Sequence, residues 1–255
     1  MKLFNYRAQG KKINSWFIVD EQQLNAQNDS EILQNLSQRL IKTQVWFSDL
    51  DDSDAKSPGK EIALKHAVGT SHFNPEYWGW VVETAFTRLI KDKQVAETSS
   101  WKNYIDSFLR SPESMKEIQQ IFTDEKIERT LFPGVEDFYS LLPAEKYYVT
   151  RNISEVAKVY ANYLKFQDYF SESDSKGKVV EDFILKNPQI EHYGVSGDSE
   201  DDQEMVDVIN FYSKRKPIEL LVSLYITNSR NKLNDSFLVN ISRDRTGLVE
   251  LIRPF

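Results

Sequence analysis

Residues 45–53 read Val45-Trp46-Phe47-Ser48-Asp49-Leu50-Asp51-Asp52-Ser53, a run of strand formers followed by three carboxylates within four positions. Strands more often end in neutral turn residues, because adjacent like charges repel one another and weaken the compact state. A buried strand that delivers several carboxylates to one point therefore asks for a cation. No other stretch of the chain constrains its fold as strongly.

The 255 residues suffice for one large domain, or for a core plus a smaller unit. With 40% hydrophobic and 28% charged residues the composition is that of a globular protein, not of a disordered one. The net charge of -7, with no long Lys/Arg run, argues against a general nucleic-acid binder. There are no cysteines, which excludes disulfides, thiolate metal sites and cysteine nucleophiles. Met1 is followed by no apolar run of signal-peptide length, and no stretch reaches the roughly 18 apolar residues of a membrane span. The expectation is a cytoplasmic protein without a membrane partner. The three histidines, His66, His72 and His192, lie far apart, with no spacing that suits a shared metal.

Residues 2–8 and 12–19 are expected as two strands joined around Gln9-Gly10-Lys11. Asp29 or Ser30 can cap a helix whose apolar residues Ile32, Leu33, Leu36, Leu40 and Ile41 share a face. Strand, amphipathic helix and the 45–48 strand together read as a βαβ unit, hence a parallel sheet. From about 60 to 125 the pattern is helical throughout, over 61–68, 75–91, 101–109 and 114–122. This block reads as a helical subdomain inserted into an α/β core. Strand-and-helix alternation resumes beyond Leu131-Phe132-Pro133-Gly134. A helix is expected at 135–142, a strand at 147–149 ending in Thr150, and a helix from Ser154 to about Gln167. Further helices are expected around 179–185 and 205–212, with a strand at 192–196 ending in Gly197-Asp198. After a strand at 220–227, residues 237–242 and 248–252 flank Arg243–Gly247 as a hairpin would.

Ligands of open parallel sheets bind at the carboxyl ends of the strands. Asp49 and Asp51, Thr150, and Asp198 with Asp201 and Asp202 all lie at such ends and can converge across about 150 positions of sequence. Lys176 and Lys178 stand at the start of a helix shortly before the last acidic cluster. The set suits phosphoryl transfer. Mg²⁺ takes carboxylate and carbonyl oxygens, a carboxylate can attack phosphorus, and a second carboxylate can shuttle the proton. A hydroxyl and an ammonium would bind the charge on the transferring oxygens.

These residues carry a resemblance to the haloacid dehalogenase-like hydrolases. Asp49-Leu50-Asp51-Asp52-Ser53 resembles that family's first motif, DxDxT/S. Tyr148-Val149-Thr150 resembles the second, Ser175-Lys176-Gly177 the third, and Gly197-Asp198-Ser199-Glu200-Asp201-Asp202 the fourth, GDxxxD or GDxxND. Leu131-Phe132-Pro133-Gly134-Val135 is similar to the segment that returns from cap to core. The resemblance spans about 45–205. It implies a Rossmann-like, doubly wound parallel sheet over 1–58 and 125–255, with a C1-type helical cap at 59–124. It implies Asp49 as nucleophile and metal ligand, and Asp51 as general acid/base whose backbone carbonyl also meets the metal. Thr150 and Lys176 would hold the phosphoryl oxygens, with Ser53 and Arg151 as further phosphate contacts. Asp198 would bind Mg²⁺, and Asp202 or Asp201 would bind it directly or through water. The implied substrate is a small phosphorylated metabolite, cleaved through an aspartyl-phosphate.

Two departures from the pattern stand out. Ser53 replaces the commoner Thr, and Asp54 stands where an apolar residue is usual. An EF-hand reading of Asp49–Asp54 fails, since its sixth and twelfth positions would be Asp54 and Lys60 instead of Gly and Glu. A dehalogenase needs no metal, so Asp51 and the acidic fourth motif count against it. A phosphonatase would need a Schiff-base lysine in the cap, for which Lys60 and Lys65 are available. The alternative from another class is a non-catalytic binding protein that keeps the fold and the cation site. His66, His72 and Arg88 are possible substrate contacts, more simply read as structural or surface residues.

Overall fold

The computed structural model describes residues 2–5, 15–20, 22–56, 112, 115, 116, 120, 127–230 and 233–253. The chain divides into two compact units, Met1–Lys56 with Leu131–Phe255, and Ser57–Thr130. Most of the helical insert expected at 59–124, with its C1-type cap, lies outside the described residues, as do His66, His72 and Arg88. In the smaller unit the described part includes a 3-10 turn at Ile127–Arg129. No described helix is long and apolar enough to cross a membrane.

The larger unit is built on an eight-stranded sheet in the order β1-β2-β8-β7-β6-β3-β4-β5. Its strands are β1 (Lys2–Asn5), β2 (Trp16–Val19), β3 (Val45–Ser48), β4 (Glu145–Val149), β5 (Asp168–Phe170), β6 (His192–Gly197), β7 (Glu219–Thr227) and β8 (Val239–Ser242). Six of them, from β8 across to β5, run parallel, while β1 and β2 add an antiparallel edge. The helices are α1 (Asp29–Lys42), α2 (Val135–Leu141), α3 (Ser154–Tyr163), α4 (Lys176–Lys186), α5 (Glu200–Ser213) and α6 (Thr246–Ile252). From β3 the order steps one way through β4 and β5, and the other way through β6, β7 and β8. The gap between β3 and β6 is thus a topological switch point, where sheets of this kind leave a crevice beyond the strand ends.

Side chains alternate across the sheet, so β3 sends Val45 and Phe47 to one face and Trp46 and Ser48 to the other. Val45 and Phe47 join Val149, Tyr193, Val195 and residues of α4 and α5, including Val180, Ile184, Met205 and Ile209, in one buried cluster. On the opposite face the Trp46 ring meets Phe138 of α2 edge-on, and α6 packs against α1 and α2. All four residues of β3 are buried, which accounts for its apolar run without alternation.

Several expected elements differ. The cap of α1 is Asn28, whose side chain accepts from the Glu31 amide, in place of Asp29 or Ser30. The first strands pair with each other as expected, but β2 joins β8 in the antiparallel sense and does not form a βαβ unit with β3. β5 falls within 168–170, between the helix expected to reach Gln167 and the loop after it; three residues leave no period to detect. The C-terminal hairpin is not formed. β8 lies parallel to β7, and 246–252 is the helix α6, burying Leu248, Val249 and Ile252. A short apolar run suits a strand or a helix equally, and packing against α1 and α2 decides it here.

Gly194 faces Trp46 in the β3–β6 register, and a Cβ there would lie 2.2 Å from the buried indole ring. Gly194→Ala is expected to overpack this layer and lower stability by about 1–3 kcal/mol, read by urea denaturation.

Candidate active site

Parallel register places the ends of β3 and β6 side by side, with Ser48 opposite Ser196 and the Asp49 amide donating to the Ser196 carbonyl at 3.0 Å. Asp49 therefore emerges beside Asp198, although 149 positions separate them. Asp202 lies in the first turn of α5, and its oxygens are fully engaged. The backbone amides of Asp198 and Ser199 and the Ser199 hydroxyl donate to Oδ2 at 2.7–3.0 Å, while Lys176 Nζ meets Oδ1. Gly197 is required by this close approach, since a Cβ there would fall 2.2 Å from that of Asp202.

Lys176 opens α4 after Ser175, whose hydroxyl caps the helix by accepting from the Lys178 amide. Its ammonium bridges Asp49 Oδ1 at 2.7 Å and Asp202 Oδ1 at 2.5 Å, and all three side chains are buried. Ligand oxygens of Asp49, Asp198 and Asp202 lie within 4.8 Å of one another. The Ser53 hydroxyl sits between two of them, 3.4 Å from Asp49 Oδ2 and 3.3 Å from Asp198 Oδ1.

Three carboxylates against one ammonium leave a formal excess of two negative charges. Burial pushes the Asp49 carboxyl well above its usual range, against the Lys176 ammonium; Asp202, Asp198 and Asp51 push it further. Burial and Asp202 likewise raise Asp198, to about 7. Burial alone would lower Lys176, but Asp202 and Asp49 outweigh it and keep the ammonium charged. A divalent cation would cancel the excess, and an all-oxygen carboxylate set is of the hard type that Mg²⁺ takes.

The structure also sorts the sequence candidates. Lys176 is in the cluster, whereas Lys178 is exposed and pairs with Glu181 and Asp182 on its own helix. Asp202 is in the cluster, whereas Asp201 pairs with Arg151 at 2.8 Å. The Asp51 carboxylate points to Asn152, whose side-chain amide donates to Oδ2 at 2.7 Å. Thr150 is buried at the end of β4, and its hydroxyl accepts from the Asn152 amide at 3.1 Å. Asn152 has no sequence signal beyond its place two residues after Thr150.

Asp54 is fully buried beneath the loop. Register aligns Tyr148, Ser48 and Ser196 across β4, β3 and β6, all on one face. Asp54 folds back over this polar row. Its Oδ2 lies 2.9 Å from Ser48 Oγ, 2.8 Å from Tyr139 OH and 3.1 Å from Tyr148 OH. The Arg245 guanidinium approaches Oδ1 at 3.4 Å. Burial pushes both tyrosines well above their usual value, Asp54 adding to it, so they stay protonated as donors. The residue that departs from the motif is thus the acceptor of a buried network.

The mostly parallel sheet and its flanking helices form a mixed α/β fold that has counterparts among solved structures. Among solved structures, the chain is similar to DsGPDH of Dunaliella salina, at 14% identity and a TM-score of 0.58, covering 90% of this chain and 39% of that one. A phospho-aspartyl intermediate analogue of phosphoserine phosphatase matches at 14% identity and 0.52, covering 83% and 100%. A substrate-bound phosphoserine phosphatase complex matches at 13% and 0.51, covering 83% and 99%. The chain thus spans well under half the length of the Dunaliella protein. No family model matches it, and no curated protein matches it in sequence.

A carboxyl whose proton affinity rises on folding favours the folded state at low pH. That contribution is lost as pH climbs from the usual carboxylate range to about 7. In metal-free protein, Asp198→Asn is therefore expected to match the parent in Tm near pH 4, to exceed it increasingly up to about pH 7, and to keep a constant lead above that. Calorimetric scans of both proteins across that window check the sign.

Proposed function

We propose that the chain is a Mg²⁺-dependent phosphatase that hydrolyses a small phosphomonoester through an aspartyl-phosphate on Asp49. One observation carries this reading: Asp49 is buried at the switch point, paired with Lys176 and grouped with Asp198 and Asp202. Asp49 and Asp198 would hold the ion, with the Asp51 carbonyl contributing, and Asp202 would orient both the lysine and the loop that bears Asp198. When bound, Mg²⁺ offsets the negative charge of the phosphoryl oxygens beside the carboxylates.

In the first half-reaction an Asp49 oxygen bonds to phosphorus as the bond to the leaving oxygen breaks, and Asp51 gives that oxygen its proton. In the second, Asp51 takes a proton from water as the water oxygen bonds to phosphorus. The Asp49–phosphorus bond then breaks, inorganic phosphate leaves, and both carboxyl groups return to their starting states. Asn152 holds the Asp51 carboxylate for this exchange. The Thr150 hydroxyl and Lys176 ammonium bind the transferring oxygens, supported by Ser53 and Arg151. The insert at 59–124 is assigned the role of a substrate-selecting cap.

Purified protein with Mg²⁺ is expected to hydrolyse p-nitrophenyl phosphate or a member of a phosphorylated-metabolite panel. Phosphoserine is the first metabolite to try, given the substrate-bound phosphatase of similar fold. Asp49→Asn abolishes turnover, Asp51→Asn lowers kcat by about 10²–10⁴-fold, and chelation stops a reaction that added Mg²⁺ restores. Absence of turnover above the Asp49→Asn control across the panel sinks the proposal.

A further inference from the structure

The acidic loop is held from outside the segments that carry its chemistry. Between β8 and α6 the chain reads Ser242-Arg243-Asp244-Arg245-Thr246, and both arginines reach residues just after Asp51. Arg243 Nη2 meets Asp52 Oδ1 at 3.0 Å while its guanidinium lies over the Phe132 ring. Arg245 is fully buried. Its Nη2 donates to the Ser53 carbonyl at 2.8 Å and faces Asp54, and its Nη1 donates to the Ser242 carbonyl at 3.1 Å. Its amide donates to the Pro133 carbonyl, and the Phe132 amide donates to that of Asp54. Residues 52–54 are therefore gripped between 132–133 on one side and 243–245 on the other.

The N-terminal edge braces the same loop. Ser15 Oγ donates to the Asp244 carbonyl and accepts from the Gly247 amide, each at 2.9 Å, and the Trp16 amide donates to Ser242 Oγ. The N-terminal edge thus braces the residues on either side of Arg245.

The decisive link is Ser53. Its hydroxyl lies 3.3–3.4 Å from Asp198 and Asp49, the long end of hydrogen bonding, so these contacts do not by themselves fix where it sits. The short, charge-assisted bond to its carbonyl from Arg245 does. The geometry points to Arg245 as a positioning residue that, through Ser53, sets the spacing of Asp49 and Asp198 and hence their hold on a divalent cation. This rests on the phosphatase reading for the cation's role in turnover, but not for the order of the loop itself.

The test uses the full chain with Arg245→Lys, which keeps the charge but loses the two-armed donor, and the double variant Asp54→Asn/Arg245→Met, which removes the buried pair together. Two readouts are taken: Mg²⁺ affinity by calorimetry, and amide hydrogen exchange. In the loop the Asp52, Asp54 and Ala55 amides are bonded to Ala55 and Leu50 carbonyls, so their exchange reports its order. The expected result is Mg²⁺ binding weakened about 10–100-fold, with protection lost at those three amides and retained in β4 and β6. Where turnover is measurable, kcat falls while Tm in the double variant stays near that of the parent. Affinity within twofold of the parent overturns the inference, as does loss of protection spread evenly over the sheet, or failure of both variants to fold; each makes Arg245 structural only. If the parent hydrolyses nothing yet loses Mg²⁺ affinity on substitution, the phosphatase reading fails and this inference stands. If the parent binds no Mg²⁺, the spacing claim fails with it, whatever the exchange pattern.

Discussion

One ammonium between two carboxylates sets the terms for the rest of the site. Lys176 arrives from the start of α4, Asp49 from the end of β3 and Asp202 from the first turn of α5, and all three side chains are buried. Removing charges from water costs several kcal/mol per ion unless each finds partners. Every feature around the pair answers that cost: the capped start of α4, the three donors on Asp202 and the glycine that admits them. The compensation is incomplete by two charges, and that shortfall is what makes the cluster receptive to a cation instead of inert.

The sheet separates packing from chemistry by face and by height. One face of β3 is hydrocarbon against α4 and α5, while the other carries indole and hydroxyl groups at successive positions. The row of Tyr148, Ser48 and Ser196 is one register step below the strand ends, so polar groups already line the floor beneath Asp49. Asp54 completes that floor, satisfied by hydroxyls and a guanidinium. A buried carboxylate without such donors would be far more costly than an apolar residue in its place.

What could be read from the sequence follows how far apart the cooperating residues lie. β3, β4 and β6 announce themselves, because buried parallel strands are apolar runs that end abruptly in functional groups. Lys176 and Asp202 were each one of two candidates, and only distances separate them from Lys178 and Asp201. The sequence of α6 reads as a strand because 248–252 is a short, mostly apolar run that suits either element, and the partners that choose are α2 and α1, the latter some two hundred residues earlier. Asp54 is anomalous in sequence for the same reason. Its explanation comes from Tyr139, Tyr148 and Arg245, and no local pattern marks those as its partners. Asn152 is the reverse case, close in sequence to Thr150 but distinguished only by where Asp51 points.

The Asp54–Arg245 pair spans 191 positions of sequence. At a synthesis rate of about 5–20 residues per second, the acidic loop waits about 10–40 s after its own translation before its clasp exists. Through that interval Asp54 is without the guanidinium that meets it in the folded unit. The clasp on the acidic loop is thus a contact that only a nearly full-length chain can make.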